Sequence, residues 1–197
     1  SGLIADHRHL DPLPAEPPIV KWIVPIRDSS TLFAGPCFGD GSVIMGESQL
    51  TARAGWAVIQ LNNHQCPALA CRQAWGTLPS HIQTMSGAIL YCVLVWLRNL
   101  DPTHRGHSFY TDSAWVYDGW HGGVYDIASF GTPFRDLWQQ IGLLKREWAD
   151  NALSLFKTKA HRTVAQVQRS PALQWQTGGN GLADARAKEE LNCILSV

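Results

Sequence analysis

The chain has 197 residues, of which 45% are hydrophobic and 16% are charged, and its formal net charge is zero. This length suits one domain with extensions or two small domains, and a zero net charge excludes a global field that would draw the chain to nucleic acid. The longest apolar run, residues 88–97, is too short to cross a bilayer, and five cysteines without a CxxC pair favour a reducing intracellular compartment, cytoplasmic or nuclear, over a disulfide framework.

The N-terminal segment, residues 1–31, contains five prolines and little periodicity. This composition predicts a Pro-rich arm or linker, in which residues 19–26 can pack as an edge strand. The remainder, residues 32–197, is predicted to form a single domain. Runs rich in β-branched and aromatic residues predict three successive antiparallel strands, at residues 32–38, 54–61 and 68–76.

The clearest helix is predicted at residues 84–100. It is apolar almost all round as far as residue 97, which is typical of a buried helix. Thr84 or Ser86 can cap its N-terminus, and Asp101 with Pro102 ends it.

The second half of the chain alternates between strands and helices. Hydrophobic periodicity predicts strands at residues 106–115 and 153–159, a short helix that breaks at Gly119, and longer helices at residues 134–148 and 181–195. The stretch 161–184 contains three glycines, which predicts a mobile lid or an inserted loop. Alternation after an initial meander predicts an α/β fold with a mixed sheet covered by helices.

One segment departs from the overall charge balance. Residues 145–169 contain six basic and two acidic residues. A basic strip on a neutral protein fits a polyanionic partner, whereas a solvated helix face would have the same composition.

Three Asp residues each lie where an apolar run meets a turn or a helix. They are Asp40 in FGDGS, Asp112 in YTDSAWV and Asp184 in GNGLADARAK. Carboxylates gathered at ~4 Å repel each other by roughly 4 kcal/mol per pair at an effective dielectric constant near ~20, so a cluster needs a cation or a proton. If the three converge, they predict a divalent-cation site suited to phosphoryl chemistry.

Each Asp also has an ordinary structural interpretation. Asp40 before Gly41 suits a tight turn, and Asp112 can cap a following helix. Asp184 lies four residues before Lys188, as in a helical ion pair. The apolar approach to Asp112 and the Ala-rich face beside Asp184 favour the ligand interpretation.

Taken in this order, the motifs resemble the ribonuclease H family, and most closely the ribonuclease H domains of retroelement reverse transcriptases of the non-LTR type. The first-strand motif Asp-Gly-Ser is matched by residues 40–42 and the fourth-strand motif Thr-Asp-Ser by residues 111–113. Residues 179–188 match the last-helix motif Gly-Asn-x-x-Ala-Asp-x-x-Ala-Lys, and His161 matches a flexible histidine after the fifth strand. The resemblance covers residues 32–195.

The resemblance implies a mixed five-stranded sheet flanked by helices, and metal-dependent hydrolysis of the RNA strand of RNA–DNA hybrids by a two-metal mechanism with Mg²⁺ or Mn²⁺. Asp40 would be the central ligand, flanked by Asp112 and Asp184, and His161 would shuttle a proton near the leaving group. The expected partners are RNA–DNA hybrid and other domains of a reverse-transcriptase polyprotein, and no membrane. Contacts to phosphate and sugar are expected from Ser42, Thr84, Asn180, Lys159 and Arg162.

One position departs from the family pattern. The family places a Glu in the first turn of its long helix, where this chain has Ile89, and no carboxylate between Glu47 and Asp101 can replace it. Ile can neither bind a metal nor accept a hydrogen bond from a ribose 2′-hydroxyl. Two further interpretations therefore stay open: a catalytically impaired module that binds hybrid or serves a structural role, and a protein-interaction module that uses the Pro-rich arm and a Trp-rich surface.

Overall fold

The computed structural model describes residues 20–23, 31–44, 52–62, 68–78, 83–159, 162–168 and 170–195. The strands are β1 (Val20–Ile23), β2 (Cys37–Ile44), β3 (Arg53–Leu61), β4 (Ala70–Thr77), β5 (His107–Thr111) and β6 (Leu153–Lys157). The helices are α1 (Met85–Arg98), α2 (Ala114–His121), α3 (Val124–Ile127), α4 (Arg135–Lys145), α5 (Val164–Val167) and α6 (Pro171–Leu195). None of these described helices is both long and apolar enough to cross a membrane.

The strands form one mixed sheet in the order β1-β4-β3-β2-β5-β6. The strands β1, β4, β3 and β2 pair in antiparallel fashion, whereas β5 and β6 run parallel to β2. This confirms the predicted α/β fold with an antiparallel meander followed by parallel strands. The sheet has six strands rather than five, because Val20–Ile23 adds an edge strand beside β4.

Helix α1 covers one face of the sheet and is almost entirely buried, as predicted. Thr84 caps it, accepting a hydrogen bond on Oγ1 from the Gly87 N–H at 3.1 Å. The two glycines of β2 let the helix approach closely. A Cβ at Gly39 would lie 2.8 Å from the Cβ of Cys92, and one at Gly41 would lie 2.6 Å from the Cβ of Ala88, so any side chain there would push α1 away from β2.

Helix α6 covers the opposite face. A Cβ at Gly179 would lie within 2.6 Å of the Phe38 ring, and Trp175 packs its ring against both Phe38 and Tyr110. The predicted mobile lid or loop at 161–184 is wrong for residues 171–184, which are helical. Glycine ordinarily disfavours a helix interior, but here Gly179 makes room for the contact between α6 and the sheet.

Two boundaries around the candidate site also differ from the prediction. The first strand begins at Cys37 rather than at residue 32, so Asp40 lies inside it. The strand predicted at 106–115 ends at Thr111, because Ser113 accepts a hydrogen bond from the Val116 N–H at 3.3 Å and begins α2.

The helix break predicted at Gly119 is also wrong. Helix α2 runs through this residue to His121. A Cβ at Gly119 would lie 2.6 Å from the Trp138 ring. The glycine therefore allows α2 to lie against the ring of Trp138 on α4.

Candidate active site

One cleft, with a volume of about 530 Å³, brings together most of the residues that the sequence singled out. Its lining includes all three predicted carboxylates and four of the five residues predicted to contact nucleic acid. These are Asp40, Asp112, Asp184, Ser42, Asn180, Lys159 and Arg162. Ile89 lies on the cleft as well, together with residues that the motifs had not marked as functional: Gly41, Met85, Thr177, Gly181 and Lys188.

The sheet register explains why Asp40 and Asp112 meet. Strands β2 and β5 are parallel neighbours in which Phe38 is paired with Tyr110. Each Asp lies two residues beyond one member of that pair, Asp40 within β2 and Asp112 directly after β5, so the two occupy corresponding positions of neighbouring segments. Helix α6 passes over Phe38 at Gly179 and contributes Asp184 to the same cleft.

Asp40 is the buried carboxylate of the group, with 7% of its surface exposed. Its Oδ1 accepts a hydrogen bond from the Gly41 N–H at 2.7 Å. Burial raises the pKa of Asp40 from 3.8 to about 7, and the negative charges of Asp112 and Asp184 add to this rise. The cleft therefore favours a proton or a cation beside Asp40 at neutral pH.

Asp112 is oriented by a neighbouring amide. Its Oδ2 accepts a hydrogen bond from Asn180 Nδ2 at 3.2 Å, and Asn180 Oδ1 accepts one from Thr158 Oγ1 at 3.4 Å. Thr158 is buried after β6. Asn180, predicted to contact nucleic acid, thus bridges Asp112, which follows β5, and Thr158, which follows β6.

Asp184 forms an ion pair within α6. Its Oδ2 accepts a hydrogen bond from Lys188 Nζ at 2.7 Å, which raises the pKa of Lys188. The two interpretations of Asp184 are therefore compatible, because it pairs with Lys188 and also lines the cleft.

Two further basic residues line the cleft, both from the segment that follows β6. Lys159 is exposed, whereas the Arg162 guanidinium donates hydrogen bonds to Gln176 Oε1 at 3.0 Å and to Thr177 Oγ1 at 3.4 Å. These bonds hold Arg162 beside α6. His161, the predicted proton shuttle, lies outside the described residues.

The N-terminal two turns of α1 give the cleft an apolar wall. Ile89 is 5% exposed, and a Cβ on Gly41 would lie 3.3 Å from Ile89 Cγ1. Met85, which is partly exposed, lies one turn earlier on the same wall. Thr84, predicted to contact phosphate or sugar, is the N-cap of this helix and is not part of the lining.

The donor atoms of the cleft suit a hard divalent cation, since Asp40, Asp112 and Asp184 all present carboxylates to it. Within the described residues, however, no three His, Cys, Asp or Glu side chains are grouped closely enough to hold a metal ion. Two of the carboxylates are engaged by neighbours, Asp112 by Asn180 and Asp184 by Lys188. The three carboxylates therefore fit a cation in their chemistry, although in this structure they are not grouped as a metal site.

No known protein-family model and no curated protein sequence matches this chain. Solved structures do. The protease–reverse transcriptase of prototype foamy virus is similar over 83% of this chain, with 17% identity and a TM-score of 0.60. This chain spans about a fifth of that protein, 21% of its length.

Structures of two RNase H1 proteins are also similar in fold. LC9-RNase H1, a type 1 enzyme with the type 2 active-site motif, shares 18% identity over 79% of this chain and 72% of its own, with a TM-score of 0.51. LC11-RNase H1, isolated from compost and solved in complex with RNA/DNA hybrid, shares 14% identity over 81% of this chain and 98% of its own, with a TM-score of 0.54. This likeness shows that the chain has the ribonuclease H fold.

Proposed function

We propose that this chain hydrolyses the RNA strand of RNA–DNA hybrids with Mg²⁺ or Mn²⁺. The observation that carries the proposal is the cleft into which β2, β5 and α6 bring Asp40, Asp112 and Asp184. The fold shared with LC11-RNase H1, which binds RNA/DNA hybrid, supports it. Basic residues on the same cleft, Lys159 and Arg162, suit a phosphate backbone.

The chemistry follows from the charges that line the cleft. A divalent cation held by Asp40, Asp112 and Asp184 would supply Lewis acidity to the phosphate and would lower the pKa of an attacking water. The resemblance implies two such ions, with Asp40 as the central ligand and Asp112 and Asp184 beside it. Asn180 orients Asp112 through its hydrogen bond.

Substrate positioning is assigned to the polar residues around these carboxylates. Lys159 and Arg162 bind the phosphate backbone, and the Ser42 hydroxyl contacts phosphate or sugar. His161 transfers a proton to the leaving group, as the resemblance implies. A hybrid of A-like form would be recognised by its shape and its 2′-hydroxyls rather than by its sequence.

We further propose that the chain is part of a retroelement reverse transcriptase, intracellular and in a reducing compartment. The foamy virus protease–reverse transcriptase of similar fold supports the first point, and Cys37, Cys71 and Cys92, all free thiols, are compatible with the second. Residues 32–197 are proposed as the catalytic domain and residues 1–31 as a Pro-rich arm. Of that arm, residues 1–19 and 24–30 lie outside the described residues.

The experiment is a cleavage assay with a strand-labelled substrate panel. The RNA strand of an RNA–DNA hybrid should release fragments in Mg²⁺ or Mn²⁺, and EDTA should stop the release. Duplex DNA and single-stranded RNA of the same sequence should stay intact. A folded chain that cuts no hybrid in either metal would refute the proposal.

A second function, hybrid binding without catalysis, is favoured by Ile89. The side chain occupies the cleft wall next to Gly41 and supplies no oxygen ligand. Salt-dependent binding of hybrid with no cleavage in either metal would support this function. Absence of hybrid binding would instead support the protein-interaction module.

A further inference from the structure

Lys188 brings a positive charge to the carboxylate cleft. Its ammonium lies 2.7 Å from Asp184 Oδ2, and both residues line the cleft. Among the salt bridges of the described residues, this pair is the one whose two members both line that cleft. The ammonium therefore contacts a carboxylate oxygen that a divalent cation in the cleft would also bind.

The influence of Lys188 extends beyond its direct partner. Its positive charge acts on Asp40 and opposes the rise in the pKa of that carboxyl, and the charges of Asp184 and Asp40 both favour the protonated ammonium. Lys188 thus offsets part of the repulsion between Asp40 and Asp184.

The ion pair is well placed to be exchanged. The Lys188 side chain is 56% exposed and that of Asp184 is 33% exposed. Ion pairs at such exposed positions contribute little to stability because water and salt screen them. A divalent cation carries twice the charge of the ammonium and gains more from the same oxygen.

We propose that Lys188 is an internal counter-ion of the cleft, which holds Asp184 while no divalent cation is bound and must release this carboxylate when one binds. The inference rests on the proposed function, because it concerns the same cation site. It makes Lys188 a residue that weakens metal binding. Removal of its charge then leaves Asp184 available and also removes a repulsion on the incoming ion.

If Lys188 and Asp184 form only an ordinary ion pair within the helix, a different effect on metal binding is expected. If Lys188 only stabilises α6 through its contact four residues away, its removal lowers stability equally with and without metal. Metal affinity then stays the same. The two interpretations are therefore separated by a binding measurement, without any measurement of catalysis.

The experiment is a Mn²⁺ titration of the full chain, in which free Mn²⁺ is followed by electron paramagnetic resonance. Four proteins are compared: the native chain, Lys188→Gln, Lys188→Arg and Arg135→Gln. Arg135 is the matched control, because it forms an exposed ion pair with Asp136 on α4 and is not part of the cleft lining. Circular dichroism verifies that each variant is folded.

Lys188→Gln should bind Mn²⁺ about tenfold more tightly than the native chain, as expected for loss of one nearby positive charge. Lys188→Arg and Arg135→Gln should stay within about threefold of the native affinity, by the same Coulomb argument. Mn²⁺ should also raise the melting temperature of Lys188→Gln more than that of the native chain, since tighter binding stabilises the folded state further.

Three results would overturn the inference. Equal or weaker Mn²⁺ binding by Lys188→Gln would refute the role of Lys188 alone and leave the metal-dependent function standing. An equal gain in Arg135→Gln would show an effect of net charge rather than of the ion pair. Failure of both the native chain and Lys188→Gln to bind Mn²⁺ would refute this inference together with the metal-dependent function.

Discussion

Asn180 donates a hydrogen bond of 3.2 Å to Asp112 and so connects α6 to the end of β5. The contact joins residues 68 positions apart in the chain. It makes Asn180 a positioning residue for one carboxylate of the cleft, in addition to the contact with nucleic acid predicted from the motif.

Replacement of Asn180 by Ala should lower the rate of hybrid cleavage by about 10- to 100-fold, the usual cost of losing a partner that orients a metal ligand. The loss should be smaller at high Mn²⁺, because excess cation compensates for a misoriented Asp112. Single-turnover cleavage over a series of Mn²⁺ concentrations measures both effects. A variant as active as the native chain at every concentration would exclude the positioning role.

The raised pKa of Asp40 predicts a pH-dependent stability in the absence of divalent cations. The unfolded carboxyl ionises near 3.8 and the folded one near 7, so the stabilisation it provides is full below the lower value and is lost as the pH rises through the upper one. Asp40→Asn should therefore be more stable than the native chain at pH 8 in EDTA, by about 1–4 kcal/mol.

Urea unfolding of the native chain and Asp40→Asn at pH 3.5 and pH 8 tests the Asp40 prediction. The stability difference should be present at pH 8 and nearly absent at pH 3.5. A constant difference at both values would mean that Asp40 has an ordinary pKa in the folded chain.

For His107 we expect the opposite dependence of stability on pH from that expected for Asp40. It is buried, with 1% exposed, against Trp148 and His104. Burial, followed by the charge of His104, lowers its pKa, while Asp101 opposes the shift. Because the unfolded histidine takes up its proton first as the pH falls below about 6.5, the folded state should lose stability in that range.

His107→Gln should remove this acid sensitivity. The variant has no titrating ring, so its free energy of unfolding should change less than that of the native chain between pH 7.5 and pH 5. His104→Gln, at an exposed position, is the matched control and should leave most of the native pH dependence in place. If native and His107→Gln curves were parallel, another group would be responsible.

A pair of glycines in α6 tests the close packing of that helix. Gly179→Ala should destabilise the chain by about 1–3 kcal/mol, the usual cost of overpacking, because its Cβ would lie 2.6 Å from the Phe38 ring. Gly181→Ala meets no atom within 4 Å and should be neutral or stabilising by up to about 1 kcal/mol through helix propensity. Thermal or urea unfolding measures both, and equal effects would contradict the packing.

Ile89→Glu tests whether the cleft lacks an oxygen ligand. The substitution should tighten Mn²⁺ binding and increase hybrid cleavage, while costing about 1–3 kcal/mol of stability without metal, because it places a fourth carboxylate in a nearly buried position. Ile89→Gln is the matched control: it has similar length and polarity without the charge, and it should show little gain in affinity. If Ile89→Glu altered neither metal binding nor cleavage, Ile89 would not stand at a ligand position.

The sequence predicted the mixed sheet, with an antiparallel meander followed by parallel strands, and it marked Asp40, Asp112 and Asp184 as candidate ligands, because the strand patterns and the ordered motifs are local features of the sequence. It did not predict that α6 begins at Pro171, since Gly178, Gly179 and Gly181 locally favour a loop. That helix depends on contact with Phe38, which lies far away in the chain and has no local signal.

The contacts within the cleft also could not be predicted from local sequence. The motif predicted that Lys188 lies on a helix, and its spacing of four residues from Asp184 predicted an ion pair. That both members face the carboxylate cleft depends on how α6 is rotated over β2, which glycine contacts decide. Thr177 on α6 lines the cleft for the same reason, and Met85 does so from α1; no motif marks either residue.

The most direct test of the central claim is RNA-strand cleavage by the native chain and by Asp40→Asn, measured side by side on a labelled RNA–DNA hybrid in Mn²⁺. Metal-dependent hydrolysis with Asp40 as the central ligand predicts RNA fragments from the native chain and a loss of at least about 100-fold in rate for the variant. Equal cleavage by the two proteins, or none by the folded native chain, would contradict it.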